Sequence, residues 1–188
     1  MNRGRFITLE GIEGVGKSTH LDFIAAQLET SGHKVLLTRE PGGTRLGEAV
    51  RGILLHGGDL RIEPFAELLL MFSARSQHIE EVIRPALKAG VTVVCDRFTD
   101  ASYAYQGGGR GIAEERIGAL EKLVQGDLVP DLTLLLDASV ETGRRRAASR
   151  GRADRFEAEE AAFFDRVRRA YLERAAREPG RVRLVDAE

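Results

Sequence analysis

Apolar residues cluster in five short segments that are separated by longer stretches of mixed polarity. The segments are rich in Val, Ile and Leu and span residues 6–9, 35–38, 91–95, 132–136 and 182–185. The first four show little alternation between apolar and polar positions, which is typical of strands buried on both faces of a parallel sheet. The fifth alternates, and this pattern predicts a strand at the edge of the sheet.

The intervening stretches have the periodicity of helices. They cover residues near 17–31, 46–56, 64–88, 113–125, 139–149 and 157–177. Strands and helices alternate without internal repeats or a Pro/Gly/Ser-rich linker. This predicts one three-layer α/β domain over residues 1–188, with a five-stranded parallel sheet flanked by helices. In such sheets ligands bind beyond the carboxyl ends of the strands.

Composition and charge exclude several classes of protein. The 188 residues are 43% hydrophobic, enough for one core, and the 30% charged residues with five prolines argue against disorder. A net charge of −1 predicts no general attraction to nucleic acid or to an anionic membrane. No apolar run approaches the roughly 20 residues that span a bilayer, and no signal-peptide pattern opens the chain. With a single cysteine, these features predict a cytoplasmic protein.

A glycine-rich loop follows the first strand and fits the pattern G-x-x-x-x-G-K-[S/T]. Its backbone N–H groups would surround a phosphate, and the helix N-terminus that follows favours the same anion. Lys17 would reach the β- and γ-phosphates of ATP, and the Ser18 hydroxyl would ligate Mg²⁺. The residues expected at this ATP site are Gly11, Ile12, Glu13, Gly14, Val15, Gly16, Lys17, Ser18 and Thr19.

This loop alone does not separate a kinase from a switch GTPase or a motor ATPase. The sequence contains no Asn-Lys-x-Asp-like segment that would read a guanine base. Instead, arginines and other polar residues follow several of the predicted strands, enough to hold a second phosphorylated ligand.

Four further segments carry more specific signals. They are T-R-E-P-G-G-T at 38–44, M-F-S-A-R at 71–75, D-R-F with S-Y-A-Y-Q-G-G-G-R-G at 96–111, and R-G-R-A-D-R-F at 150–156. Together with the phosphate loop they resemble bacterial thymidylate kinase, over about residues 5–187, and in particular the subgroup with catalytic arginines in the lid. The resemblance implies a homodimeric P-loop kinase that transfers the γ-phosphate of Mg-ATP to dTMP, giving dTDP and ADP for dTTP synthesis.

The resemblance also assigns residues to the acceptor nucleotide. They are Glu13, Glu40, Arg51, Met71, Phe72, Arg75, Arg97, Ser102, Tyr105 and Gln106. Glu13 would accept a hydrogen bond from the sugar 3′-hydroxyl. Arg51 and Arg97 would hold the 5′-phosphate, for which the planar fork of a guanidinium is suited, and Arg97 would also bridge donor and acceptor.

The thymine base and the sugar 2′ position are assigned in the same way. Arg75 would contact a base carbonyl, Ser102 and Gln106 would read base edges, and Tyr105 would exclude a ribonucleotide's 2′-hydroxyl.

An aromatic residue usually precedes the helix arginine by four positions in the family, whereas this chain has Met71 there. Phe65, Leu68, Leu69 and Phe72 form the stripe expected to face the core, whereas Met71 shares a face with Arg75. We therefore expect Met71 to cover the base, with Phe72 as the competing candidate.

Two predicted strands end in a carboxylate that could bind Mg²⁺. Asp96 is preferred, together with Ser18, because the adjoining Arg97 allows a joint metal and phosphate role; Asp137 is expected to cap the next helix. Glu40 resembles an acidic residue close to the acceptor and the metal, and its alternative role is also to cap a helix.

The phosphate loop supplies no cation at its variable positions, although an arginine on the transferring phosphoryl group is worth roughly 10³–10⁵ in rate. A lid at about 149–157 is the expected source, through Arg150, Arg152 and Arg155, with the last two preferred; the alternative is a solvated basic turn. With Lys17 and Arg97 these complete the expected catalytic set. Arg144 would stack on adenine through a cation–π contact, or lie on a solvated helix face.

The histidines at 20, 33, 56 and 78 are scattered and are expected at the surface. Two other functions stay open at this point. One is another nucleoside monophosphate or deoxynucleoside kinase, and the other is a nucleotide-dependent binding module without turnover.

Overall fold

A five-stranded parallel sheet forms the middle of the computed structural model, which describes residues 3–57, 60–148, 155–157 and 159–188. Its strands are β1 (Phe6–Glu10), β2 (Val35–Arg39), β3 (Thr92–Asp96), β4 (Leu132–Asp137) and β5 (Val182–Asp186). Their order across the sheet is β2-β3-β1-β4-β5, and every pairing is parallel. The predicted strands, their parallel arrangement and the edge position of the fifth are confirmed.

The other edge strand, β2, departs from its prediction. It pairs only with β3, none of its residues is buried, and Leu37 is 41% exposed. The expectation that β2 is buried on both faces was therefore wrong. A short apolar run does not reveal whether a strand has one neighbour or two.

Helices flank the sheet. They are α1 (Lys17–Thr30), α2 (Arg45–His56), α3 (Pro64–His78), α4 (Arg84–Lys88), α5 (Thr99–Ser102), α6 (Glu114–Gln125), α7 (Val140–Ala148) and α8 (Ala161–Arg177). The Thr44 hydroxyl caps α2 by accepting the Gly47 N–H at 2.9 Å, and Pro64 opens α3 at a position where a proline costs no hydrogen bond. Within the described ranges, no helix combines the length and apolar character that crossing a bilayer requires.

The long helix predicted over 64–88 is helical throughout but is not one α-helix. A π-helical segment (Ile79–Ile83) joins α3 to α4. Pro85 has no N–H to donate to the preceding turn, and its ring crowds the carbonyl four residues earlier, so the helix widens just before it.

A second helical element was not predicted at all. α5 continues into a π-helical segment (Tyr103–Gly109) that ends in three glycines, residues with poor helix propensity. A Cβ added at Gly108 would lie 2.6 Å from the Ala170 side chain, and one added at Gly109 would lie 2.5 Å from the Phe163 ring. Close packing against α8 therefore requires the glycines, and this contact overrides their propensity.

The α3 stripe is only half buried. Leu68 and Phe72 lie in a core cluster with Tyr103, whereas Phe65 and Leu69 are 41% and 45% exposed. The prediction was wrong for the latter two. The buried face of α3 is narrower than the apolar stripe.

Candidate functional site

The phosphate loop connects β1 to α1 and adopts a backbone that only glycine takes easily. Gly11, Gly14 and Gly16 have φ of 132°, 77° and 90°. An added Cβ at Gly14 would lie 1.9 Å from the Gly143 carbonyl oxygen in α7, so the loop also packs tightly on that helix. The turn thereby directs backbone N–H groups and the start of α1 towards a common point, as an anion site requires.

Lys17 is buried and folds back over this loop. Its Nζ donates to the carbonyl oxygens of Gly11 at 2.9 Å and of Ile12 at 2.8 Å. Burial, and then the charge of Arg97, lowers the pKa of Lys17 to about 8. An anionic phosphate beside the amine would restore a high pKa, because it favours the charged form.

Asp96 carries the signature of a cation ligand. Its Oδ1 is buried and has no hydrogen-bond partner among the described residues. A buried carboxylate oxygen without a partner is costly, and a metal ion or its water would satisfy it. The parts of the chain that the structure describes hold no cluster of three or more His, Cys, Asp or Glu side chains. A Mg²⁺ held by Asp96, with Ser18 as the second predicted ligand, would take its remaining ligands from phosphate oxygens and water.

A cleft of about 530 Å³ lies beside the phosphate loop. Nine of the ten acceptor residues expected from the sequence line it: Glu13, Glu40, Arg51, Met71, Arg75, Arg97, Ser102, Tyr105 and Gln106. The tenth, Phe72, is 2% exposed and faces the core. Met71 rather than Phe72 therefore borders the space where a base would lie.

Glu13, Arg97 and Tyr105 form one hydrogen-bonded group at the donor end of this cleft. Arg97 Nη2 donates to Glu13 Oε1 at 2.9 Å and to the Tyr105 hydroxyl oxygen at 3.1 Å. The Tyr105 hydroxyl donates to the Glu13 carboxylate at 2.7 Å. Burial raises the pKa of Tyr105 well above its ordinary value, so the phenol keeps its proton and acts as a donor.

The backbone of Arg97 is strained. Its φ of 66° is left-handed, which costs a non-glycine residue of order 1–3 kcal/mol. Its N–H donates to the Leu9 carbonyl at 2.9 Å, and the next N–H, of Phe98, donates to Glu10 Oε1 at 2.8 Å.

Glu10 is a buried carboxyl group beneath this turn, and the Tyr171 hydroxyl donates to its other oxygen at 2.7 Å. Burial, together with nearby Asp100, raises the pKa of Glu10 to about 8. Glu10 was not among the residues predicted for the site.

Arg75 enters the cleft from α3 and is fixed on three sides. Its Nε donates to Glu40 Oε2 at 2.7 Å, Nη1 to the Ser102 hydroxyl at 3.1 Å, and Nη2 to the Phe98 carbonyl at 3.1 Å. Phe72 lies 4.6 Å from the guanidinium carbon. Thr44, and not Glu40, caps α2. The Glu40 carboxylate pairs instead with Arg75 and His78.

The surface placement expected for the histidines is wrong for His78. Its side chain is fully buried and contacts Glu40 Oε1 through Nδ1 at 2.9 Å. His20, His33 and His56 are exposed, as expected. Residue spacing carries no sign that distinguishes His78 from the other three.

Glu67 is a second buried group that was not predicted from the sequence. It is fully buried and accepts from Gln106 Nε2 at 2.8 Å, with Arg110 at 3.4 Å and Arg155 at 2.5 Å. A lone carboxylate inside the apolar helix run A-E-L-L-L was the available signal. Glu67 thus links Gln106, which is predicted to read the base, to Arg155 at the end of the predicted lid.

Of the three lid arginines, Arg150 and Arg152 lie outside the described residues. Arg155 is described, and besides Glu67 it donates from Nε to the Leu54 carbonyl at 2.8 Å. On the acceptor side, Arg51 Nη1 donates to the Pro41 carbonyl at 3.0 Å. Arg144 borders a separate cavity of about 570 Å³ together with Ile12 and Glu13 of the phosphate loop, where an adenine is expected.

Asp137 does not cap α7. It forms a bidentate pair with Arg168 at 2.7 and 2.8 Å, and Ser139 Oγ accepts from the Thr142 N–H instead. The expectation of a cap was wrong, because the chain runs two residues further before the helix begins. A strong guanidinium partner makes Asp137 a poor metal ligand.

Comparison with known proteins gives a consistent result. The family model described as thymidylate kinase matches residues 9–188. The thymidylate kinases of Pseudomonas syringae pv. syringae and Pseudomonas fluorescens are 65% and 60% identical over 184 residues, which is 98% of this chain and 88% of each relative. The crystal structure of thymidylate kinase from Ehrlichia chaffeensis matches with a TM-score of 0.78 at 34% identity, covering 98% of this chain and 91% of that one.

Proposed function

The chain belongs to the thymidylate kinase family and is an ATP-using enzyme that phosphorylates dTMP to dTDP, and we propose that it does so with Mg²⁺ as cofactor and the site residues described above. The observation that carries the residue assignment is the convergence of nine expected side chains on one cleft beside the phosphate loop. Donor and acceptor nucleotides would meet there, phosphate to phosphate.

On the donor side, the triphosphate would accept hydrogen bonds from the N–H groups of the loop and from the Lys17 amine. In the structure this amine donates to loop carbonyls instead. Arg144 flanks the adenine cavity. Ser18 and Asp96 would hold Mg²⁺, which would neutralise phosphate charge during transfer.

On the acceptor side, the arrangement of the cleft matches the parts of dTMP. Arg75 and Gln106 face the base region, Met71 covers it, and Arg51 lies where a 5′-phosphate is expected. Tyr105 is held by Glu13 and Arg97, so its ring would have a fixed position beside the sugar of a bound dTMP. A fixed ring is what exclusion of a 2′-hydroxyl requires.

Transfer itself needs alignment and charge neutralisation more than covalent help. The acceptor phosphate is already anionic, so no strong general base is required. Arg97 pairs with Glu13 of the phosphate loop and also lines the cleft, so we assign it to contact both phosphates. For Arg155 to act on the phosphoryl group, it would have to exchange its contact with Glu67.

The test is ADP release with Mg-ATP and a panel of acceptors: dTMP, dUMP, dCMP, UMP, AMP and thymidine. We expect the highest kcat/KM for dTMP. A preference for a ribonucleotide or for thymidine would point to another nucleoside monophosphate or deoxynucleoside kinase. A binding module would retain ATP without any acceptor-dependent release.

We also propose that the chain is one domain, acts in the cytoplasm and forms a homodimer through α2 and α3. These two helices pack together and carry four exposed apolar side chains, Leu46, Ile53, Phe65 and Leu69. A glutamate at Leu69 should shift the protein to monomers in light scattering. An unchanged mass would argue against this face.

A further inference from the structure

His78 lies at the back of the acceptor cleft, beneath the loop that joins β2 to α2, and no step of the proposed mechanism uses it. The geometry points to His78 as the positioning residue of the acceptor side, which fixes Arg75 through Glu40 and Arg51 through the loop above it. This inference rests on the proposed function, because it assigns both arginines to dTMP.

The first path runs from His78 to Arg75. The Glu40 carboxylate is 6% exposed and has one buried partner on each oxygen: His78 Nδ1 on Oε1 at 2.9 Å, and Arg75 Nε on Oε2 at 2.7 Å. Because a carboxylate only accepts, the Nδ1 nitrogen must carry the proton. Rotation of the carboxylate would move Arg75 away from Ser102 and out of its present plane.

The second path runs from His78 to Arg51. His78 Nε2 lies 2.7 Å from the Thr38 hydroxyl at the end of β2. Directly above it, Gly43 has φ of 74°, and an added Cβ there would lie 2.5 Å from the same nitrogen. The loop thus rests on the imidazole, and its Pro41 carbonyl accepts the hydrogen bond that holds Arg51 at 3.0 Å.

The two ring nitrogens of His78 therefore have different roles. Nδ1 orients the carboxylate that holds Arg75, and Nε2 contacts only the strand end and the underside of the loop. Among the described residues, the side chains that hydrogen-bond His78 are those of Thr38 and Glu40, and neither belongs to the phosphate loop of the donor site.

Two substitutions distinguish the nitrogens. The side-chain amide nitrogen of asparagine is separated from Cβ by one carbon, as Nδ1 is, and that of glutamine by two, as Nε2 is. His78→Asn therefore keeps a donor for Glu40, whereas His78→Gln keeps a group for Thr38 and loses the one for Glu40. His33, which is exposed, supplies the matched control as His33→Gln.

The experiment measures ADP release by the full chain, varying dTMP at saturating ATP and ATP at saturating dTMP. Loss of a hydrogen bond to a buried charge corresponds to about tenfold or more in affinity. We expect H78Q to raise the KM for dTMP by about tenfold with the KM for ATP within about twofold, and H78N to stay within about threefold of the wild type. H33Q should match the wild type.

An unchanged KM for dTMP in H78Q, or a parallel rise of the KM for ATP, would overturn the assignment. If H78Q does not fold, Thr38→Val replaces it, since it removes the partner of Nε2 and leaves every residue assigned to dTMP unchanged. The same dTMP-selective defect supports the inference and a parallel loss overturns it. A wild type that releases no ADP with dTMP would instead refute the proposed function.

Discussion

The Glu67→Gln substitution tests whether the buried carboxylate of α3 holds the acceptor cleft to the end of the predicted lid. Glu67 is fully buried, and Gln106, Arg110 and Arg155 all donate to it. A glutamine keeps one accepting oxygen. It loses the charge and turns an N–H towards guanidinium groups that can only donate.

The size of the effect follows from burial. Removing one partner of a buried ion pair costs about 3–5 kcal/mol. Arg110 and Arg155 keep 17% and 26% of their side-chain surface exposed, so water can partly replace Glu67. We therefore expect a loss of about 2–3 kcal/mol in the free energy of unfolding. In a chain of this length, this corresponds to a fall of roughly 4–12 °C in Tm.

The assay is thermal unfolding followed by circular dichroism, with Glu80→Gln as the matched control. Glu80 belongs to the same continuous helix, is 68% exposed and pairs with Arg84 at 2.9 Å, so its loss should cost less than about 1 kcal/mol. Because Gln106 shares the Glu67 carboxylate, the KM for dTMP should rise more than that for ATP. A Tm equal to that of E80Q, or an unchanged KM for dTMP, would refute the reasoning.

Three further predictions concern other parts of the site. Gly143→Ala would place a methyl group 2.6 Å from the Glu13 carbonyl oxygen and displace the phosphate loop, at a cost of about 1–3 kcal/mol. Steady-state kinetics should therefore show a selective rise in the KM for ATP, and an equal rise in the KM for dTMP would contradict this. The pKa of Glu10 is raised from 4.5 to about 8, so its contribution to the free energy of unfolding is complete below pH 4.5 and is lost as pH rises through 8. In metal-free denaturant titrations at several pH values, Glu10→Gln should flatten this decline. The same dependence of the free energy of unfolding on pH in both proteins would contradict the prediction. Cys95 is fully buried and burial raises its pKa, so a thiol reagent at pH 8 should label it only after unfolding, whereas rapid labelling of the native protein would show that β3 is accessible.

The sequence predicts those features that depend on local patterns. The phosphate loop has a fixed spacing of glycines and lysine, and the strands have a composition that few other elements share. The acceptor residues that line the cleft were assigned from the resemblance to thymidylate kinase. For Glu40 and Arg97 there is also a physical reason, because both follow strands and parallel strands end at one edge of the sheet.

What the sequence did not predict depends on partners distant along the chain. His78 and Glu67 resemble ordinary surface residues of a helix until β2 and the 99–109 helix pack against them. The glycines at 107–109 argue against a helix, and the approach of α8 to Gly108 and Gly109 overrides that preference. Asp137 was expected to cap a helix. Its partner in the structure, Arg168, lies 31 residues further on, so the local sequence around Asp137 does not reveal the pair.

The central claim is that two nucleotides bind at once, one on the phosphate loop and one in the cleft lined by Arg75 and Arg97. The most direct measurement is calorimetric titration of dTMP into the protein, alone and after saturation with Mg²⁺ and a non-hydrolysable ATP analogue. The account predicts one dTMP bound per chain in both titrations. Displacement of the analogue by dTMP, or loss of dTMP binding once the analogue is present, would contradict it.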